Sequence, residues 1–242
     1  MNGALNFAIV VPMANEEPDF WPFVNEIRAQ LDLLKAGRVY CVVDDASVDR
    51  TRELCMGLSR VDPRFVTVYE PRNRCVAQAY LRGYREAFDN GHDIIIEMDA
   101  GMSHDPRAIP RFLRALNEGS ECAFGSRFMK GGSMVDANLW RRFLSRGGTI
   151  AANALLGTDL SDMTSGFEGF RRHIVKELLD RHFRSKAHFF QTEVRYFLRA
   201  KSSVMVPIRY KTPSPRVSAV SVRNAAAALG YYFFRRITGR AP

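Results

Sequence analysis

Phe7-Ala8-Ile9-Val10-Val11-Pro12 is an unbroken apolar run that gives way at once to Asn15-Glu16-Glu17. A strand with one wet face alternates apolar and polar residues. A continuous run belongs to a strand covered on both faces, the condition of a parallel sheet. The pattern recurs twice: Val39–Val43 ends in Asp44-Asp45, and Asp93–Met98 runs into Asp99. Helical signals fill the gaps. Phe20, Phe23, Val24, Ile27, Leu31 and Leu34 recur at helical spacing and predict a helix over 17–34. Ser47 or Asp49 is placed to cap a helix reaching Arg60, Phe65–Tyr69 reads as a third strand, and Val76–Phe88 as a helix closed by Asn90-Gly91. Pro106 suits a helical first turn, and Cys122–Phe124 continues the sheet. Strands and helices alternating at this spacing predict an α/β fold with a mainly parallel central sheet flanked by helices.

Beyond Gly131-Gly132, a loop, the regularity loosens. Leu139–Leu156 reads as a helix dense in Arg on its first turns, Gly166–Phe170 as a short strand, Phe189–Ala200 as a helix, Val204–Ile208 as a strand and Pro213–Ser218 as a loop. Val222, Ala226, Leu229, Phe233 and Ile237 fall on one helical stripe near Arg235 and Arg236. No internal repeat or linker demands a second domain. Residues 1–218 read as one domain, and 219–242 as a basic amphipathic C-terminal helix.

The chain has 242 residues, 46% hydrophobic and 25% charged, which excludes a disordered or fibrous protein. The uncharged runs Met1–Asn15, Gly147–Thr158 and Asn224–Phe234 fall short of the roughly 20 apolar residues that cross a bilayer. No Lys or Arg precedes the first apolar run, so it does not read as a signal peptide. Cys41, Cys55, Cys75 and Cys122 are scattered, favouring a reduced cytosolic setting over a disulfide or zinc framework. The net charge of +9 is a property of the C-terminus: no Asp or Glu follows Glu193, whereas Arg and Lys recur from Arg195 to Arg240. Such a tail seeks polyanions such as phosphate groups or anionic lipid headgroups. A nucleic-acid role ranks low, because no binding module accompanies the charge and the acids at the strand ends repel phosphate.

In open α/β sheets ligands bind at the carboxyl ends of the strands. Here Asn15-Glu16-Glu17, Asp44-Asp45 and Asp99 converge on one rim, although Glu17 or Asp49 taken singly reads equally well as a helix start or cap. Neither Gly-x-Gly-x-x-Gly nor Gly-Lys-Ser/Thr follows the first strand, which disfavours an NAD-type or P-loop site.

Several segments, in order, resemble the family 2 glycosyltransferases. Val10-Val-Pro-Met-Ala-Asn-Glu-Glu17 is similar to their opening strand, Val42-Val-Asp-Asp-Ala-Ser-Val-Asp-Arg-Thr51 to their Val-Asp-Asp-Gly-Ser segment, and Glu97-Met-Asp-Ala-Gly-Met-Ser-His-Asp-Pro106 to their Asp-x-Asp metal loop. Gly125-Ser-Arg-Phe128, Asp162–Arg171, Phe190-Gln-Thr-Glu193 and Pro207-Ile208 follow. The Ser-His-x-Pro and Phe-Gln-x-Glu elements resemble the branch that includes dolichol-phosphate mannosyltransferase and its polyprenyl-phosphate relatives.

The resemblance implies a GT-A fold (nucleotide-diphospho-sugar transferase), a nucleotide-sugar donor (GDP-mannose or a UDP-sugar), a polyprenyl or dolichyl phosphate acceptor and inversion at the anomeric carbon. It assigns Pro12, Asn15, Glu16, Asp44, Asp45 and Asp99 to the donor, Asp99 to a divalent cation (Mg²⁺ or Mn²⁺), and Arg127, Arg142, Arg146 and Arg216 to phosphate. Asp99, Arg127 and Glu193 are the catalytic candidates. Glu193 is a base if the acceptor is a hydroxyl, or else a salt-bridge partner of Arg195 or Arg127. His104 and His188 orient a carboxylate or bind phosphate, or are structural. Several positions depart from the pattern: Gly101 replaces the second metal Asp, with Asp105 as a substitute ligand; Ser103 stands where many relatives have Gln; Ala14 replaces an aromatic beside the base; and Ala219 replaces a Lys beyond Arg216. Two alternatives follow: the same fold transferring to a saccharide hydroxyl, or a non-catalytic nucleotide-sugar binder. The basic tail implies a protein peripheral to the cytosolic face of an anionic membrane, its last helix lying in the headgroup zone or packed on its own domain, on a membrane-protein partner or on a second copy.

Overall fold

The computed structural model describes residues 6–187, 189–211 and 219–239. In chain order the elements are β1 (Phe7–Met13), α1 (Phe20–Leu34), β2 (Arg38–Val43), α2 (Thr51–Val61), β3 (Phe65–Tyr69), α3 (Val76–Asp89), β4 (Ile94–Glu97), α4 (Ile109–Asn117), β5 (Cys122–Ser126), β6 (Ser133–Val135), α5 (Leu139–Leu156), β7 (Glu168–Arg171), α6 (Arg172–Leu179), α7 (Phe189–Phe197), β8 (Ser203–Pro207), β9 (Arg209–Lys211) and α8 (Ala219–Ile237). The central sheet runs β3-β2-β1-β4-β7-β5-β8, and only β7 is antiparallel to its neighbours.

The apolar run of β1 divides between two cores. Phe7, Ile9, Val11 and Met13 join one with Phe23 of α1, Leu58 of α2 and Phe112 of α4; Ala8 and Val10 join the other with Tyr84 of α3, Ile174 of α6 and Val194 of α7. Helices therefore cover both faces, the expected α/β architecture. Each large apolar side chain so buried contributes about 1.5–3 kcal/mol, so a charge placed at Val10 would break the centre of the fold.

The differences from the expected elements are local. Pro18 starts the segment after β1 as a 3-10 turn over Glu17–Asp19 before α1 begins at Phe20. The strand expected at Gly166 begins at Glu168, because Gly166 is pressed against Asp99 in the preceding loop. α6 was not anticipated. Nor was the pairing of β6 with β9, a separate parallel ribbon whose short strands carry no readable alternation. α8 packs on α5 and α7 through Leu229 and Tyr232, and Ala226 and Ile237 of the expected stripe are exposed. The candidate residues Arg216 and His188 lie outside the described residues.

Candidate active site

The topology opens a crevice where β1 meets β4. The chain runs from β1 through β2 to β3 on one side, then crosses to β4 on the other. β1 stays in register with β2 as far as Met13 but leaves β4 after the Val10–Glu97 pair. Such a reversal of strand order is where open α/β sheets bind ligands. A cavity of about 790 Å³ fills it, and Pro12, Asn15, Glu16, Asp44, Asp45 and Asp99 all line it. The structure thus brings together every residue that the sequence assigned to the donor.

Hydrogen bonds between the loops after β1 and β2 hold this wall. Asn15, in the left-handed region at φ 58°, receives Val48 N–H on its side-chain oxygen (2.9 Å) and donates its backbone N–H to Ser47 Oγ (2.9 Å). Glu16 N–H donates to Thr51 Oγ1 (2.8 Å), and Glu17 N–H to Asp49 Oδ2 (3.0 Å). Asp49 also accepts the N–H of Thr51, the first residue of α2, but the N-cap position is Arg50, so Asp49 ties the helix start to the loop network instead of capping it. Asp44 closes its own turn by accepting Ala46 N–H (3.0 Å), and Asp45 accepts the Tyr69 hydroxyl (2.7 Å).

Asp99 is held from two sides. Tyr80 OH donates to its Oδ1 (2.7 Å), and its backbone N–H donates to His104 Nδ1 (3.2 Å), which fixes the His104 proton on Nε2. Burial pushes the His104 imidazole below its ordinary pKa, and burial, reinforced by the Asp99 charge, pushes the Tyr80 phenol up. A Cβ on Gly166 would meet Asp99 Oδ1 at 3.2 Å, a tight contact, so the glycine lets this loop lie close against the carboxylate. The carboxyl of Glu16 is raised to about 7, by burial first and then by the charges of Asp19, Asp99 and Asp49. Its Oε2 stands 3.0 Å from where a Cβ of Gly101 would lie, so Glu16 brings a second carboxyl to the place the departure at Gly101 leaves open. Asp105 instead chelates Arg107 (2.7 and 2.8 Å) and does not line the cavity.

Arg127, Arg142 and Arg146 line a second cavity of about 530 Å³ with Met134, Phe143 and Ile150. Tyr210 of β9 stands between the two cavities, lining the first while Arg127 lies over its ring at 5.4 Å. Arg127 enters this cavity already paired. Its Nε and Nη2 chelate buried Asp162 (2.8 and 2.9 Å), which holds the guanidinium in the wall of this cavity. Burial pushes the Asp162 carboxyl up, but the bonds and charge of Arg127 outweigh that and hold it below its ordinary pKa. Glu193 is fully buried, lines neither cavity, and accepts Arg184 N–H (2.7 Å), Ser185 N–H (2.9 Å) and the hydroxyl of Tyr232. Neither expected partner reaches it, because Arg195 pairs with Glu168 (2.6 Å) and Arg127 with Asp162.

Sequence reasoning missed Arg74, Tyr80 and Tyr210 in the first cavity. Arg74 left a signal, a basic residue just ahead of the first turn of α3, where helix dipole and guanidinium favour the same anion. Tyr80 and Tyr210 left none, since one lies mid-helix and the other on an unrecognised strand.

A sheet covered on both faces, a strand-end crevice lined by carboxylates and an arginine cavity beside it are the framework of a GT-A glycosyltransferase. Residues 8–179 match glycosyl transferase family 2, and the chain belongs to that family. It is 30% identical over 228 residues to polyprenol monophosphomannose synthase of Mycolicibacterium smegmatis, covering 91% of this chain and 83% of that protein. It is 31% identical to undecaprenyl-phosphate mannosyltransferase of Micrococcus luteus, covering 70% of each, and 31% identical to dolichol-phosphate mannosyltransferase of Pyrococcus furiosus, covering 71% of this chain and 48% of that one. The fold is also that of glucosyl-3-phosphoglycerate synthase from Mycobacterium tuberculosis, solved with Mn²⁺, uridine diphosphate and phosphoglyceric acid, at TM-score 0.64 and 16% identity over 94% of this chain and 78% of that one.

Proposed function

We propose that the protein transfers a sugar, with inversion, from a nucleotide sugar (GDP-mannose or a UDP-sugar) to a polyprenyl-type lipid phosphate. One observation carries the choice of acceptor: among the described residues the arginine cavity is lined by Arg127, Arg142 and Arg146 with apolar side chains, and by no Asp, Glu or His. A hydroxyl acceptor needs a base at this point. A phosphate monoester, with a second pKa near ~6, is already largely dianionic at neutral pH and attacks the anomeric carbon without losing a proton. The displacement of Glu193 from both cavities supports the same acceptor. The names of the three mannosyltransferase relatives favour mannose as the sugar.

In this reading Pro12, Asn15, Glu16, Asp44 and Asp45 hold the nucleoside, and Asp99 faces the diphosphate with Tyr80 and His104 fixing its orientation. Arg142 and Arg146 receive the acceptor phosphate in bidentate fashion. Mg²⁺ typically binds through one or two carboxylates with substrate phosphates and water completing its shell, and Asp99, with Glu16 beside Gly101, fits that donor set. When bound, the cation screens charge on the departing diphosphate. Among the described residues no helix is long and apolar enough to cross a membrane, so attachment is assigned to surface contacts at the cytosolic face.

Radiolabelled GDP- and UDP-sugars offered with polyprenyl phosphate, with and without Mn²⁺, test the proposal. A labelled lipid extractable into organic solvent is the expected product. Label passing to saccharide hydroxyls and never to lipid phosphate would overturn it.

A further inference from the structure

The outward face of α5 holds several large apolar side chains that the structure leaves in water. Leu139 is 83% exposed, Trp140 69%, Phe143 70%, and Ile150 further along 62%. Trp140 and Phe143, three residues apart, stack with ring centroids 6.0 Å apart and make one plate. Isolated exposed apolar residues are ordinary on a soluble protein; a contiguous plate marks a partner.

The charge pattern identifies the partner's chemistry. Arg141, Arg142 and Arg146 lie on the same helix, and no Asp or Glu occurs between Asp136 and Asp159. Aromatic side chains among arginines, with no acid, match the headgroup zone of an anionic bilayer, where rings enter the interface and guanidinium groups meet lipid phosphates. A second copy of the chain matches less well, because a two-fold contact would set the arginines of both copies against each other. The helix also walls the arginine cavity through Arg142, Phe143, Arg146 and Ile150, so exposed plate and cavity share one element. α8 is the poorer candidate, since Tyr232 is buried and bonded to Glu193.

We infer that the N-terminal two thirds of α5, residues 139–150, docks the protein on an anionic phospholipid surface, Leu139, Trp140 and Phe143 entering the headgroup zone while the arginines face lipid phosphates. The inference rests on the lipid-phosphate reading for its purpose: docking here lays the arginine cavity at the bilayer, where a membrane-borne acceptor presents its phosphate.

The chain has two tryptophans, so Trp21→Phe isolates Trp140 as an optical probe. Phosphatidylcholine vesicles containing about one third phosphatidylglycerol are expected to shift Trp140 emission to the blue and, when their acyl chains are brominated, to quench it. The double variant Leu139→Glu/Trp140→Glu is expected to co-sediment with these vesicles at least about tenfold more weakly. Its transfer to a short, water-soluble prenyl phosphate should stay at the wild-type level, as neither residue lines a cavity, while transfer to vesicle-embedded polyprenyl phosphate falls with binding. Unmoved Trp140 emission, unchanged pelleting of the double variant, or a dimer in solution that the double variant dissolves while the wild type ignores vesicles, each overturns the inference. If neither acceptor is used yet vesicle binding behaves as stated, the acceptor reading fails and the docking surface stands.

Discussion

The two cavities on either side of Tyr210 are built on opposite plans. Carboxylates line the first, delivered by the ends of β1, β2 and β4, whose backbones are locked between two cores. Arginines line the second, delivered by one turn of α5 and the loop after β5, with exposed aromatic residues alongside. Strand ends fix carboxylates together in a partly buried crevice, and the cost shows in Glu16, whose pKa is raised to about 7 by burial first and by the neighbouring acids second. The helix-borne site carries no such tension: Arg127 is neutralised by Asp162, and Arg142 donates to the Met134 carbonyl (2.7 Å). A rigid acidic wall suits a ligand held through specific polar atoms. A basic wall continuous with an apolar surface suits an anion on a greasy chain.

The comparison breaks most sharply at Asp99. If the acidic cavity is the donor site, Asp99→Ala lowers kcat about 10³-fold while circular dichroism stays unchanged; wild-type turnover would remove the donor from this cavity. Glu193 tests whether an acid belonging to neither cavity does chemistry. Glu193→Gln leaves an amide nitrogen among three donors, and is expected to cost about 2–3 kcal/mol of unfolding free energy while kcat of the folded enzyme stays within about threefold. A large fall in kcat with unaltered denaturation would restore the catalytic reading. On the basic side, Arg142→Ala should raise KM for the lipid phosphate about 10- to 100-fold and leave KM for the donor unchanged, the mark of a lost charge-assisted bond to one substrate. A matching rise for the donor would merge the two cavities into one site.

What the sequence could reveal follows the same division. Buried parallel strands have to be apolar throughout, so β1, β2 and β4 announced themselves, and with them the acids at their ends, because no other residue follows a strand into a crevice so abruptly. The basic half was less legible. Arg142 and Arg146 were reached only through the family resemblance, and the pairing of Arg127 with Asp162 joins residues 35 apart in the chain. The surroundings of Glu193 were hidden for a similar reason. Its partners are two backbone N–H groups and a tyrosine from the last helix, and backbone donors leave no trace in side-chain identity. β6 and β9 are too short to show a period, which hid Tyr210 and with it the boundary between the cavities.

The smallest expected effect is the most direct measure of strain in the acidic wall. Glu16 titrates near 4.5 when unfolded and at about 7 when folded. Below pH 4.5 both states carry the proton. Between the two values the folded state keeps a proton that the unfolded state has lost, so stability falls as pH rises, and above about 7 it levels off. Because Glu16 is only partly enclosed, solvent screening reduces the change to about 1–2 kcal/mol. Glu16→Gln removes the titration, and the variant should gain on the wild type in Tm as pH rises from 5 to 8, with no difference at the acid end. A bound divalent cation puts positive charge beside the same carboxyl and should flatten the wild-type profile in the same way. A wild-type Tm that rises over this range relative to Glu16→Gln would mean that Glu16 is stabilised as an anion, and that the acidic wall holds no strain for a ligand to relieve.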